Sequence, residues 1–292
     1  MKFLITLFFL SGVPFLGCEY DGGFITFPFL GSSFSWLKIS TYGIMMALGF
    51  LTANFLLQKE FHRLNIDPKL ADNIIILAVV GGIVGAKVFF LWESSSQWHG
   101  FSGFTKMAFS GGGLTWYGGF IGAAVAIIAY ILKKNLSLPL VSDVLTPISA
   151  LGYTFGRMGC FVSGDGCYGK ICDISMPFPL CASFPHGAVP STEMVYNTPF
   201  YEGLFSLLLF FIFWQLRTRT WPGGLRFPMF LIFHSIARFL VEFIRVNPKD
   251  VFGITQAQFV SLAIFIGSIV YFVVKRNDLT ILLSKGNKNV RN

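Results

Sequence analysis

The chain has 292 residues, of which 54% are hydrophobic and only 12% are charged, and its mean hydropathy is +0.66. Soluble domains carry about 25% charged residues, so this composition excludes an ordinary soluble domain and indicates a membrane protein. The net charge of +8 does not indicate a nucleic-acid partner. The basic residues lie mostly in short loops between apolar segments, where they orient a protein in its membrane.

Residues 1–20 form a separate hydrophobic segment. Lys2 precedes the almost wholly apolar run Phe3–Leu16, which is followed by Gly17 and Cys18. This pattern is typical of a signal peptide. A lipoprotein cleavage site before Cys18 and an uncleaved extra helix are the alternatives.

About seven apolar segments follow, each near the length of roughly 20 residues that crosses a bilayer as a helix. The predicted spans are 42–58, 72–92, 114–132, 141–160, 201–216, 227–244 and 257–274. Lys and Arg are concentrated in the loops after the odd-numbered spans, and loops rich in these residues face the cytoplasm. We therefore expect an all-α membrane protein with its N-terminus outside and its C-terminus in the cytoplasm.

This topology divides the chain into three parts after the leading segment. Residues 25–275 are expected to form the transmembrane domain, and residues 276–292 a basic cytoplasmic tail. The connection 161–200 between spans four and five would lie outside the cytoplasm. Because loops of this length are usually functional or disordered, we expect an extracytoplasmic loop domain there.

Four cysteines lie at or beyond the outer end of span four, namely Cys160, Cys167, Cys172 and Cys181. The outer compartment allows disulfides, and four cysteines permit three pairings, which the sequence leaves open. The spacing of the cysteines matches no common zinc pattern. We therefore expect structural disulfides or buried thiols, and no metal.

The most unusual segment is Gly156–Gly169, which combines Arg157 and Asp165 with a run of glycines at the end of span four. Charged side chains at this depth are costly unless they are paired or used. A glycine-rich backbone can approach a ligand closely. The segment therefore predicts a phosphate site, with an Arg that only reaches toward lipid headgroups as the alternative.

A second charged group lies on the sixth span. Arg238 and Glu242 are four residues apart and share a helix face, and Arg245 follows one turn later. The pair can simply make a buried Arg tolerable, or Glu242 can orient Arg238 toward an anion, and these interpretations are compatible. His234 is expected to be a packed histidine.

Other polar residues stand at the starts of predicted spans. Tyr42 opens the first span, and Tyr117 belongs to the glycine turn Gly113–Gly119 that opens the third. Glu202 opens the fifth, where the helix dipole favours a carboxylate. Three pairs of glycines at helical spacing predict close helix packing: Gly81 with Gly85, Gly118 with Gly122, and Gly152 with Gly156.

Five segments in this order resemble the phosphatidylglycerol–prolipoprotein diacylglyceryl transferase family: Tyr42-Gly43, Gly113–Gly119, Gly156–Gly169, Tyr201-Glu202 and Arg238–Arg245. The Gly-Arg-x-Gly-x-Phe pattern followed by Tyr-Gly is the most specific of them. The resemblance covers about residues 25–275. It implies a multi-pass enzyme of the bacterial cytoplasmic (inner) membrane, with its active site toward the outer leaflet.

Members of that family move the diacylglyceryl group of phosphatidylglycerol onto the thiol of a lipobox cysteine, forming a thioether and releasing glycerol phosphate. The resemblance therefore implies phosphatidylglycerol and prolipoprotein signal peptides as substrates, and no metal or organic cofactor. An inactive relative that binds prolipoprotein or anionic lipid is one alternative. A small-molecule transporter is the other.

The resemblance also implies roles for particular residues. Arg157 and Arg238 would bind the phosphate and stabilise charge on the leaving group, Glu242 would hold Arg238, and Tyr117 would act in catalysis. Further contacts with substrate would come from Tyr42, Cys160, Asp165, Gly169 and Glu202.

The chain departs from the family's pattern at three of these positions. Tyr117 stands where the family has His, Cys160 where it has Asn, and Asp165 where it has Glu. Tyrosine has an ordinary pKa of about 10 and is a poor base at neutral pH. We therefore expect Tyr117 to donate a hydrogen bond more readily than it accepts a proton.

Overall fold

The computed structural model describes residues 19–26, 39–97, 100–110, 113, 115–173, 175–219, 223–249 and 253–289. The signal-peptide prediction lies almost entirely outside the described residues. The chain divides into two compact units. The first unit comprises the described residues within 1–52 and 145–292, and the second comprises those within 53–144.

Most of the described residues are helical. The α-helices are α1 (Thr41–Arg63), α2 (Lys69–Glu93), α3 (Gly100–Ala108), α4 (Trp116–Lys133), α5 (Leu138–Ser163), α6 (Thr198–Leu216), α7 (Arg226–Val241) and α8 (Gln256–Asn289). A 3-10 turn, Glu242–Ile244, follows α7 directly, and another covers Ser95–Gln97. Each predicted span coincides closely with one helix, whereas α3 was not predicted. Helix α8 continues through most of the predicted tail.

Within the described residues, 5 helices are long and apolar enough to cross a membrane: α1, α2, α6, α7 with its 3-10 turn, and α8. Helix α4 is apolar but shorter, and α5, which carries Asp143 and Arg157, is outside this set. Large apolar side chains such as Leu51 and Val88 are well exposed, as is expected of surfaces that face lipid. The chain is therefore a helical membrane protein, while the seven spans and their orientation stay predictions.

In the second unit, α2 and α4 pack through glycines. A Cβ added to Gly85 would lie 2.3 Å from the carbonyl oxygen of Gly118, and a Cβ added to Gly122 would lie 2.3 Å from that of Gly81. Since any side chain here would force the helices apart, two predicted glycine pairs are confirmed as packing positions. The prediction is wrong for Gly152, where an added Cβ meets no atom of the described residues within 4 Å.

In the first unit, α5, α6 and α7 share an apolar core of Ala150, Leu209, Phe213 and Phe230. Helix α6 begins ahead of its predicted start because Asn197 caps it. The side chain of Asn197 accepts a hydrogen bond from the Phe200 backbone N–H at 3.3 Å, and Pro199 fits the first helical turn.

The segment between α5 and α6 contains short strands that the all-α prediction did not include. Strands β4 (Cys181–Phe184) and β5 (Ser191–Tyr196) form an antiparallel hairpin, and Phe161 at the end of α5 packs into its apolar side. A second small antiparallel sheet, also in the first unit, contains β1 (Glu19–Asp21), β2 (Phe24–Thr26) and β3 (Ile39–Ser40).

The structure chooses among the cysteine pairings that the sequence left open. Cys172 is disulfide-bonded to Cys181, which joins the segment before the hairpin to β4. Cys160 and Cys167 are free thiols. The two free thiols lie at the end of α5 and in the glycine-rich turn that follows it, beside the polar site described next.

Candidate functional site

Three arginines and two glutamates meet in the first unit. They are Arg157 on α5, Glu202 on α6, Arg238 on α7, Glu242 in the 3-10 turn and Arg245 just after it. The arginine side chains are 10–18% exposed and the glutamate side chains at most 3%. Three guanidinium groups against two carboxylates leave one positive charge in excess. We call these five residues the arginine–glutamate network.

Glu202 lies at the centre of the network. Its Oε2 is 2.9 Å from Nη2 of Arg157, and its Oε1 is 3.7 Å from Nη1 of Arg238 and 3.6 Å from Nη1 of Arg245. A buried carboxylate is costly unless it is paired, so these contacts explain why a glutamate is tolerated here. The helix dipole alone does not explain why a buried glutamate is tolerated at position 202.

Arg238 and Glu242 form the ion pair that their spacing predicts, with 2.6 Å between Nη1 and Oε2. Glu242 also accepts a hydrogen bond from the side-chain amide of Asn247, and its Oε2 lies 3.6 Å from Nε of Arg245. One carboxylate therefore orients two guanidinium groups.

Two side-chain donors of Arg245 lie near carboxylate oxygens without forming hydrogen bonds to them. Its Nε and Nη1 are buried and have no hydrogen-bond partner among the described residues, and the same is true of Oε1 of Glu202. A buried donor without a hydrogen bond costs about 1–3 kcal/mol, and the ion pairs of Arg245 with Glu202 and Glu242 at 3.6 Å offset only part of that cost. Our sequence-based site did not include Arg245, although its spacing of three from Glu242 was a usable signal.

Tyr153 connects Arg157 to Glu202, and the sequence analysis did not identify it. Its hydroxyl accepts a hydrogen bond from Nε of Arg157 at 2.8 Å and donates one to Oε2 of Glu202. The guanidinium also lies 5.0 Å from the centre of the tyrosine ring. His234 packs edge-on against this ring at 4.5 Å and stacks on Phe230, which confirms the prediction of a packed histidine.

The turn after α5 brings Cys160, Asp165 and Cys167 together. The two sulfur atoms and a carboxylate oxygen all lie within 4.8 Å of one another. Oδ1 of Asp165 accepts a hydrogen bond from the backbone N–H of Cys167 at 3.1 Å. The turn depends on Gly164 and Gly166, which have φ of +58° and +84° and adopt these left-handed conformations at little cost.

The two thiols are themselves hydrogen-bonded. The hydrogen bond from Cys160 lowers the pKa of the Cys167 thiol, against the opposing effects of burial and of the Asp165 charge. Cys167 is therefore the more easily ionised of the pair.

Tyr42 and Gly169 lie beside the site, and their contacts with substrate stay predictions. A Cβ added to Gly159 would lie 3.0 Å from the ring of Tyr42, so this ring covers the backbone next to Cys160. Gly169 forms an isolated antiparallel bridge with Arg245. The structure thus places both residues beside the charged groups.

Most of the predicted site residues lie together in the first unit. Arg157, Arg238, Glu242 and Glu202 belong to the network, and Tyr42, Cys160, Asp165 and Gly169 lie on or against the segments that carry it. Tyr117 is in the first turn of α4, in the second unit. Its proposed role in catalysis stays a prediction.

Comparisons with known proteins all point to one family. The family profile described as prolipoprotein diacylglyceryl transferase matches residues 31–274. The chain is 38% identical to the phosphatidylglycerol–prolipoprotein diacylglyceryl transferase of Leptospira interrogans serovar copenhageni, over 78% of this chain and 80% of that protein. It is 32% identical to the protein of that name from Clostridium tetani, over 82% of this chain and 94% of the relative.

Proposed function

The chain belongs to the prolipoprotein diacylglyceryl transferase family, and we propose that it is a transferase that moves the diacylglyceryl group of phosphatidylglycerol onto a cysteine thiol of prolipoproteins. The observation that carries this proposal is the arginine–glutamate network. Its excess positive charge suits the single negative charge of a phosphodiester. The Arg245 donors form ion pairs at 3.6 Å but no hydrogen bonds among the described residues, which suits the acceptor oxygens of that group.

In this proposal the arginines hold the lipid phosphate. Arg157, Arg238 and Arg245 supply planar donors that match phosphate oxygens. The carboxylates of Glu202 and Glu242 would repel a phosphate, so their role is to hold the guanidinium groups in place.

The chemistry follows from that arrangement. The lipobox cysteine attacks as a thiolate, its proton having passed to solvent. Its sulfur bonds to the glyceryl carbon that bears the phosphate ester, and a thioether forms as the carbon–oxygen bond breaks. The electron pair of that bond stays on the phosphate oxygen, so the departing glycerol phosphate gains negative charge. Buried guanidinium groups stabilise this charge as it develops.

The location of the reaction follows from the charge pattern of the loops. Positive-inside orientation would direct the end of α5 and the hairpin to the outer face of the bacterial cytoplasmic membrane. Phosphatidylglycerol can reach that face within the bilayer, and a secreted precursor can reach it after translocation.

The test uses the purified full-length protein in vesicles that contain phosphatidylglycerol, with a lipobox peptide as acceptor. We expect the peptide to gain the mass of one diacylglyceryl group. Arg157→Ala and Arg238→Ala should each abolish the transfer, whereas Arg217→Ala, a matched change outside the network, should not. Normal transfer by both network variants would contradict the phosphate-binding role.

A growth assay separates an active transferase from an inactive relative. The gene should restore growth of a strain depleted of its own transferase, and the Arg157→Ala version should not. A protein that binds the lipobox peptide but neither transfers lipid nor restores growth would instead be an inactive binding relative.

A further inference from the structure

The proposed transfer needs a thiolate, because the thiol form of cysteine is a poor nucleophile. Tyr117 stands at the position where the family has a histidine, and a tyrosine with an ordinary pKa is a poor base. The thiolate therefore requires another source, which groups near the network can supply.

We propose that Cys160, Asp165 and Cys167 bind a zinc ion, and that the open coordination position of this ion takes the cysteine sulfur of the prolipoprotein. The proposal rests on the proposed function, since it names the subsite for the acceptor thiol. It departs from the sequence expectation of no metal, which came from the spacing of the cysteines, without Asp165, and from the family resemblance.

The ligand set and its geometry suit zinc. Cysteine sulfur and carboxylate oxygen are both common zinc ligands, with Zn–S of about 2.3 Å and Zn–O of about 2.0–2.2 Å. Tetrahedral ligands at these distances lie roughly 3.4–3.8 Å apart, and the three ligand atoms already lie within 4.8 Å of one another. The ligand atoms would have to approach one another by at most about 1.4 Å to close the site.

The number of ligands indicates a catalytic rather than a structural ion. Structural zinc sites are closed by four protein ligands, whereas catalytic sites have three and keep one position for water or substrate. Among the described residues this group has three members.

The position of the group relates it to the phosphate site. Cys160 lies one helical turn after Arg157 on α5, and the two side chains interact electrostatically. Cys167 interacts in the same way with Arg245. A zinc ion with two thiolates and one carboxylate carries one negative charge, and the guanidinium groups of Arg157 and Arg245 attract it. A sulfur bound to zinc would thus lie beside a phosphate held by the arginines.

The step balances without an oxidant or a reductant. Coordination to the ion deprotonates the acceptor thiol, and its proton passes to solvent. The sulfur then bonds to the glyceryl carbon, the carbon–oxygen bond breaks, and its electron pair leaves with glycerol phosphate. The product is a neutral thioether, a weaker ligand than a thiolate, so water replaces it.

The first test measures metal binding directly. Full-length protein purified without chelator should contain about one zinc per chain, as in other sites of this class. Cys160→Ser, Asp165→Asn and Cys167→Ser should each lose most of it, while Asp173→Asn, an exposed carboxylate of the same loop, should retain it. Metal-free wild-type protein, or a Cys160–Cys167 disulfide in fresh preparations, would overturn the proposal.

The second test asks whether the ion takes the substrate sulfur. In protein loaded with cobalt(II), the thiolate-to-metal absorption should grow by about half when a lipobox peptide adds a third thiolate to the two of the site. A peptide with Ser in place of Cys should leave it unchanged. The absence of any difference between the peptides would overturn the activating role.

The third test distinguishes failure of this inference from failure of the proposed function. Removal of zinc with a chelator should lower transfer at least tenfold, and zinc should restore it. Full activity of the metal-free protein would overturn the zinc proposal and leave the transferase standing. Metal binding and the cobalt response without any transfer would instead contradict the proposed function.

Discussion

Arg157 and Glu202 lie on different helices, and their buried side chains meet with 2.9 Å between Nη2 and Oε2. The other oxygen of Glu202 is directed toward Arg238 and Arg245, at 3.7 and 3.6 Å. Removing one partner of a buried ion pair costs about 3–5 kcal/mol, because it leaves the other charge unpaired. Glu202 is thus the residue whose loss disturbs all three arginines at once.

We expect Glu202→Gln to lower the free energy of unfolding by about 3 kcal/mol. It should also lower kcat for lipid transfer while leaving KM for phosphatidylglycerol unchanged or smaller, because the site becomes more positive but less ordered. Thermal unfolding in detergent and steady-state kinetics measure the two effects. Glu193→Gln, an exposed glutamate of the hairpin, is the control, and a rise in KM without a change in kcat would contradict this role.

Tyr153 should be important for a different reason, because its hydroxyl joins Arg157 to Glu202. Tyr153→Phe leaves Nε of Arg157 and an oxygen of Glu202 without this partner, at a cost of about 1–3 kcal/mol. We expect kcat/KM to fall roughly 10- to 100-fold, with the protein still folded by thermal unfolding. Tyr168→Phe, which removes a hydroxyl bonded to the Val189 carbonyl, should have little effect. Equal losses in both variants would argue against a specific role of Tyr153.

The role of the Arg245 donors can be tested by a substitution that retains the positive charge of the side chain. Arg245→Lys keeps the positive charge but replaces a planar group of fixed donors with a point charge. We expect kcat/KM for phosphatidylglycerol to fall at least tenfold, mainly through KM, because ground-state contacts to the phosphate are lost. Arg217→Lys serves as the matched control. If Arg245→Lys has wild-type kinetics, then Nε and Nη1 of Arg245 do not bind the lipid.

Local patterns in the sequence predicted the structural features that depend on residues close together in the chain. Hydropathy located the helices, because an apolar segment of bilayer length has few alternatives to a helix. The spacing of Arg238 and Glu242 predicted their ion pair, because residues four apart on a helix face each other.

Contacts between distant segments could not be predicted in this way. The interpretation of Glu202 used only its position at the start of a helix. Nothing in the sequence of that helix shows that three arginines from other elements converge on this residue. The group of Cys160, Asp165 and Cys167 was missed for a related reason. It depends on left-handed glycines that fold the chain back, and the intervals between cysteines do not show this.

Gly169 is expected to be intolerant of any side chain. An added Cβ would lie 2.5 Å from the carbonyl oxygen of Ile244, in the segment that leads to Arg245, so Gly169→Ala must push that segment away. We expect a loss of about 1–3 kcal/mol in the free energy of unfolding and a marked loss of transfer. Gly223→Ala is the control, because an added Cβ there meets no atom within 4 Å in the part of the chain that the structure describes. Unchanged stability and activity in Gly169→Ala would show that the segment leading to Arg245 can move without affecting folding or transfer.

Tyr117→Phe tests how the chain works without a histidine at this position. Loss of a general base typically costs 10²–10⁴ in rate, whereas loss of one neutral hydrogen bond costs about 1 kcal/mol, or roughly fivefold to tenfold. Because tyrosine is a poor base, we expect the smaller loss in kcat/KM and an unchanged pH profile. Tyr130→Phe, on the same helix and bonded to Asn73 at 2.8 Å, controls for the loss of a hydroxyl. A thousandfold decrease together with a shifted pH profile would instead identify Tyr117 as the base, and the thiolate would then need no metal.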